Sequence, residues 1–174
     1  MEVIMPKPGD ATNWIIQQYA FKDLSRMEQN EAGSFSFIWG IFENRVMQVL
    51  DRNPEESLSK SVCRDYANSE HIPKVDVSVE INYFKNLFFT PTGDETDIWG
   101  NACFRKGDKS DEIKEILLGN SRTFEMEAEA LLRIISRLRN NFFHGFKWAY
   151  NLRGQLNNFV FANSALMKLM PHAP

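Results

Sequence analysis

Residues 123–145 read TFEMEAEALLRIISRLRNNFFHG. Leu131, Ile135, Leu138 and Phe142 recur at the spacing of one helix face. Thr123 is placed to cap that helix, and Glu125 and Glu127 put negative charge at the positive end of its dipole. Gly145 marks an end or a kink. On the C-terminal side, Leu152, Leu156, Phe159, Asn163, Leu166 and Met170 predict a last helix over Leu152 to Met170. On the N-terminal side, Asp111 to Leu118 predicts a short helix, closed by Gly119-Asn120.

Residues 75–89 fit two patterns. Val75, Val77, Val79, Ile81 and Tyr83 alternate as in a strand, while Val77, Ile81, Phe84 and Phe88 fit a helix. A single strand would have no partner, so a helix over 78–89 is expected. Pro91 to Asp97 reads as a loop, and Ile98 to Phe104 as an irregular piece before the turn Lys106-Gly107-Asp108. Nearer the start, Ala11 to Glu31 is expected to be helical, with Asp10 or Thr12 as its cap. A break is expected at Glu31-Ala32-Gly33. Ser34 would open a second helix along Phe35, Ile38, Phe42, Val46 and Val49, and a polar third helix would follow over 54–69. These readings predict an all-α domain, a helical bundle of five to seven helices spanning residues 1–174.

Composition sets the outer limits. The chain has 174 residues, of which 43% are hydrophobic and 25% charged, the proportions of a globular domain rather than a disordered one. No run of apolar residues predicts a transmembrane helix, and residues 1–10 show no apolar core of a signal peptide. Twenty basic and 23 acidic residues give a formal charge of −3, so any contact with nucleic acid has to come from a local patch. Cys63 and Cys103 lack metal or redox spacing and read as reduced thiols of a cytoplasmic protein. His71, His144 and His172 are scattered and predict no zinc set, and no cofactor is expected.

The stretch that could carry chemistry is Arg137-Leu138-Arg139-Asn140-Asn141-Phe142-Phe143-His144. At about 100° per residue, Arg137, Asn141 and His144 fall on one flank of Leu138, with Asn140 near them and Arg139 on the other flank. Arginine grips phosphate with two donors, and histidine moves protons near neutral pH. From composition alone, a solvated polar helix end is the stronger reading. Glu43 could face the cluster as an acidic partner, or be solvated, or pair with a nearby base. Trp39, Trp99 and Trp148 could stack a nucleobase, although Trp39 reads better as core. Phe142, Phe143 and Phe146 read as core or dimer contacts, and Lys147 and Arg153 as surface residues or an extension of a phosphate track.

Residues 139–145, Arg-Asn-Asn-Phe-Phe-His-Gly, resemble the signature of the HEPN superfamily of helical domains, an arginine with a polar neighbour and, after four to six intervening residues, a histidine. The stretch before it, Leu131 to Ser136, and the stretch after it, Gly145 to Lys147, resemble bacterial members of the ApeA-like kind. The run Phe37 to Glu43 is loosely similar to their early aromatic helix. The resemblance covers residues 123–170 and leaves residues 71–110 as a family-specific insertion.

The resemblance implies a dimerising bundle that cleaves RNA without a metal, in toxin–antitoxin or phage-defence settings. It assigns Arg139 to the scissile phosphate, His144 to proton transfer and Asn140 to positioning. Helix geometry, rather than the signature, adds Arg137 and Asn141 as supporting RNA-binding candidates, with Lys147 just beyond the motif. A homodimer, an RNA substrate and an antitoxin or other regulatory protein are the implied partners. The alternative within the family is a non-catalytic module that binds RNA, a nucleotide or a protein. Outside it stands a helical interaction protein whose Arg-Asn-Asn cluster is an ordinary helix end.

Overall fold

Ser25, not Ser34, opens the longest helix of the molecule. Its hydroxyl accepts from the Glu28 amide at 3.2 Å, and the Glu28 carboxylate accepts from the Ser25 amide at 2.8 Å. This reciprocal capping box satisfies two amides that a helix start would otherwise leave bare. The computed structural model describes residues 7, 9–17, 24–53, 55–102, 104, 109–143 and 154–172. Among these lie eight helices: α1 (Asp10–Gln17), α2 (Arg26–Val49), α3 (Lys60–Ala67), α4 (Ser78–Phe88), α5 (Asp97–Asn101), α6 (Ser110–Leu118), α7 (Phe124–Phe143) and α8 (Leu156–Lys168). The described residues contain no strand, only an isolated antiparallel bridge between Phe89 and Glu95. The molecule is an all-α bundle.

The break expected at Glu31-Ala32-Gly33 does not exist, because α2 runs through it. A Cβ added at Gly33 or Gly40 would meet no atom within 4 Å, so both glycines lie on the open side of the helix. There a glycine costs only about 1 kcal/mol of helix propensity. The opposite side buries Ala32, Phe35, Trp39, Phe42, Val46 and Met47, which outweighs that cost. The third helix is likewise shorter than expected. It begins at Lys60 behind the Ser59 cap, because the Leu58 amide is held by Glu43 at 3.0 Å in the extended segment before it.

Helix α4 settles the ambiguity of 75–89 in favour of helix. Asp76 accepts from the Ser78 amide at 2.8 Å, and Ile81, Phe84 and Phe88 turn inward. Part of the expected irregular piece after it forms the single turn α5, which buries Trp99. Helices α6 and α7 fall where they were expected, with Thr123 accepting from the Met126 amide at 3.4 Å. The described part of the last helix is Leu156–Lys168; Leu152 lies outside the described residues.

Helix α2 lies along α8, and α3 and α6 lie on α7. Phe35, Phe142 and Phe159 join α2, α7 and α8, with ring centroids 5.3–6.2 Å apart. Edge-to-face pairing of this kind adds to the gain from burial. Residues 71–110 contribute Ile72, Val77, Ile81, Phe84, Phe88 and Trp99 to the same core as Leu138 and Phe142. A buried carboxylate, Glu80, ties α4 to α8 through Ser164 (2.5 Å) and Lys168 (2.8 Å). Burial opposes its ionisation, but those two donors win, and its pKa lies below the usual carboxylate range.

Candidate functional site

The C-terminal half of α7 carries the polar cluster, and its two flanks do different things. On one flank, Arg137 Nη2 donates to Asn141 Oδ1 at 2.8 Å. Asn141 Nδ2 donates to the Ala102 carbonyl at 2.8 Å, and Arg137 Nε reaches the same carbonyl at 3.4 Å. Asn141 is buried. These two side chains therefore tie the end of α5 to α7 by satisfying the Ala102 carbonyl. On the other flank, the Arg139 guanidinium lies 5.9 Å from the Trp39 ring and 5.1 Å from the Phe143 ring. Both distances are within cation–π range.

Asn140 links the flanks. Its Oδ1 accepts from Arg139 Nη1 at 3.1 Å, and its side chain lines a cleft that Arg137 also lines. The helix geometry thus pairs Arg137 with Asn141 as expected, and separates Arg139 from them except through Asn140. His144, Gly145, Phe146, Lys147, Trp148 and Arg153 lie outside the described residues.

Glu43 is half-buried rather than fully solvated. It accepts from the Trp39 indole at 3.0 Å and from the Leu58 amide at 3.0 Å, so it braces the platform on which Arg139 rests. Phe142 is core. Phe143 is half-exposed and meets Phe142 edge-on as well as Arg139. Trp39 is buried, as its place in the apolar stripe of α2 implies, and Trp99 packs against Phe88 and Phe89 in the core.

Two clefts flank α7. The first, about 510 Å³, lies between α7 and the start of α3, and Lys60, Arg133, Arg137, Ser59, Ser61 and Asn140 line it. Arg133 is buried and pairs with Glu129 (3.0 Å) and Glu112 (3.2 Å). Lys60 also holds Glu112, at 2.7 Å. The Lys60 hydrogen bond, with Arg133 and Lys109 nearby, brings the Glu112 carboxyl down to about 2. Cys63 sits in the same wall, and burial pushes its thiol up to about 12, which removes it as a nucleophile.

The second cleft, about 660 Å³, lies between α4, α5, α7 and the start of α8. Phe84, Phe88 and Leu138 form its apolar side, and Asn101, Asn141 and Asn157 bring amides to it. Arg137 lines both clefts.

Sequence reasoning missed Lys60, Arg133 and the serines. A trace of them was present. Ser57-Leu58-Ser59-Lys60-Ser61 is a cap-rich start of a helix, and Arg133 is a lone charge inside the apolar run Leu131 to Ile135. Among the described residues, no group of three or more His, Cys, Asp or Glu side chains is placed to hold a metal ion. No described helix is long and apolar enough to cross a membrane. The chain matches no family model, no curated protein and no solved structure.

Proposed function

We propose that the chain is a HEPN-type, metal-independent endoribonuclease that uses Arg139, Asn140 and His144. The supporting observation is the Arg139–Asn140 pair: two neighbouring residues of the signature, joined at 3.1 Å near the end of a long amphipathic helix. In this reading, the ribose 2′-hydroxyl attacks the adjacent phosphorus, and the bond to the 5′-oxygen breaks. The products are a 2′,3′-cyclic phosphate and a 5′-hydroxyl. Arg139 neutralises the charge that develops on the phosphate oxygens, with Asn140 holding its guanidinium in place. His144 takes the proton of the attacking hydroxyl or returns one to the leaving oxygen. No cofactor is required. A homodimer, a cytoplasmic setting and a regulatory antitoxin-like partner belong to the same proposal.

The experiment is cleavage of a labelled RNA pool by the purified chain in EDTA, beside Arg139→Ala and His144→Ala. The expected result is cyclic-phosphate ends from the wild type and a loss of about 10²–10⁴-fold in both folded variants. Equal activity in all three proteins would remove the site.

A second reading, a module that binds RNA or a nucleotide without cutting it, has one observation in its favour. Arg137 and Asn141 direct hydrogen bonds to Ala102 rather than to open solvent, so half of the polar cluster holds the fold together. This reading predicts RNA binding with no product in the same assay.

A further inference from the structure

The face of α2 turned away from the core has a pattern of its own. Between residues 27 and 48, every exposed position of this helix is uncharged, in a chain with 25% charged residues. The charged residues of that span are half-buried and directed elsewhere. Glu28 accepts from the Gly154 amide, Glu31 from Asn163, and Glu43 from Trp39 and Leu58, while Arg45 donates to the Pro171 carbonyl. At the centre of the uncharged face stands Phe37. It is 77% exposed, the most exposed large apolar side chain among the described residues. Met27 and Ile41 flank it and are exposed as well. A contiguous apolar face with a polar rim marks an interaction surface.

The spacing along that face says what fits it. Asn30, Gly33, Phe37, Gly40 and Asn44 recur at alternating steps of three and four, the seam of two helices packed side by side. Gly33 and Gly40 have open space where a Cβ would stand. They weaken the helix and give the single chain no packing in return. Against a second helix they are holes. Consider two α2 helices laid antiparallel about a two-fold axis beside residues 37–40. Phe37 of each copy then lies over Gly40 of the other, and Gly33 lies over Asn44. The same register brings Arg26 of each copy to Asp51 of the other. Both are exposed, and neither has an ion-pair partner among the described residues. A parallel pair would instead set Phe37 against Phe37, glycine against glycine and Arg26 against Arg26. The face is therefore complementary to a second copy of itself in one direction only.

We infer that the outer face of α2 is a self-association surface, through which two copies of this chain pair antiparallel, each Phe37 seated on the partner's Gly40. The 24 residues of α2 give the seam a length of roughly 36 Å. Two such faces bury on the order of 1,200 Å², the small end of specific interfaces, so the pair dissociates on dilution. Trp39, on which Arg139 rests, is buried on the other side of α2, so the pairing does not use the polar cluster of α7. The ribonuclease reading asks for a homodimer without naming a surface. This inference names one and does not rest on cleavage.

The test is sedimentation equilibrium of the full chain from roughly 1 to 100 µM, with a reversible monomer–dimer equilibrium in that range as the expected result. Phe37→Gln and Gly40→Gln should each raise the dissociation constant about tenfold or more. Gly40→Gln has a second signature. It replaces glycine by a better helix former at a site with open space, so the dilute variant should melt no lower than the wild type while pairing less well. Arg26→Glu should weaken the dimer about fivefold by setting two carboxylates together, and Arg26→Glu combined with Asp51→Lys should restore it.

A chain that stays monomeric across the range overturns the inference and leaves the face to a different protein. A dimer indifferent to both Phe37→Gln and Gly40→Gln overturns it too, because the copies then meet elsewhere. A dimer that Arg26→Glu weakens and the double variant fails to restore overturns the antiparallel register. None of these outcomes bears on whether RNA is cut, which the cleavage assay reads separately.

Discussion

Arg137, Asn141 and Arg139 sit within five residues of one another, yet they do different work. Asn141 is buried and connects Arg137 to the Ala102 carbonyl. Asn141→Ala should therefore cost about 1–3 kcal/mol in urea denaturation, because it removes both hydrogen bonds of a buried side chain. Arg139→Ala removes contacts with two rings and one amide at a half-buried position, and should cost about 1 kcal/mol or less. A reversed order of the two would mean that Arg139, not Asn141, is the structural member of the cluster. Helix geometry alone made the pairing of Arg137 with Asn141 legible, since they are one turn apart. Their shared acceptor was not legible. It is a backbone carbonyl 39 residues before Asn141, and no side-chain pattern announces a carbonyl. The partners of Glu43 were not legible for the same reason, because one of the two is the Leu58 amide.

At the level of elements, the helix-or-strand question at 75–89 was decided by an argument about pairing, and α4 agrees with it. The two errors came from punctuation. Gly33 resembled a stop, but a glycine on the open side of a helix is tolerated when the other side is bound to a core. Asn53-Pro54 resembled a start, but Glu43 and Ser59 delay α3 to Lys60. The true start of α2 is Ser25, and Glu28 does double duty there. Its other oxygen accepts from the Gly154 amide at 2.9 Å, two residues ahead of α8. Ser25→Ala should lower stability by about 1 kcal/mol, read as a shift in the thermal midpoint by far-UV circular dichroism. No shift would mean that solvent replaces the box without loss.

Across the whole molecule, the all-α bundle was legible because each helix carries its own apolar line. The clefts were not, because each is assembled from helices distant in sequence and neither has a local signature. Charge at the same level gives a pH dependence. Glu112 joins α6 to α3 and α7 through Lys60 and Arg133. Its folded carboxyl titrates at about 2, below the ordinary value of 4.5 that the unfolded chain keeps. The unfolded state therefore takes up the proton first as the pH falls, so the stability from Glu112 is present above pH 4.5 and drains away between there and about 2. Glu112→Gln should accordingly be less stable than the wild type at pH 7 and approach it by pH 2.5, in denaturant titrations at both pH values. A constant gap across that window would show that the carboxylate charge contributes nothing.

The brace under Arg139 runs further than its first two joints. Arg139 rests on Trp39, Trp39 donates to Glu43, Glu43 holds the Leu58 amide, and the Leu58 carbonyl accepts from Ser136 at 3.2 Å, which returns the path to α7. A closed perimeter is statically overdetermined, like a braced frame. Remove one bar and the load passes round the other way. Arg139 is therefore tied to α7 by two routes, along its own helix and through Trp39, Glu43, Leu58 and Ser136.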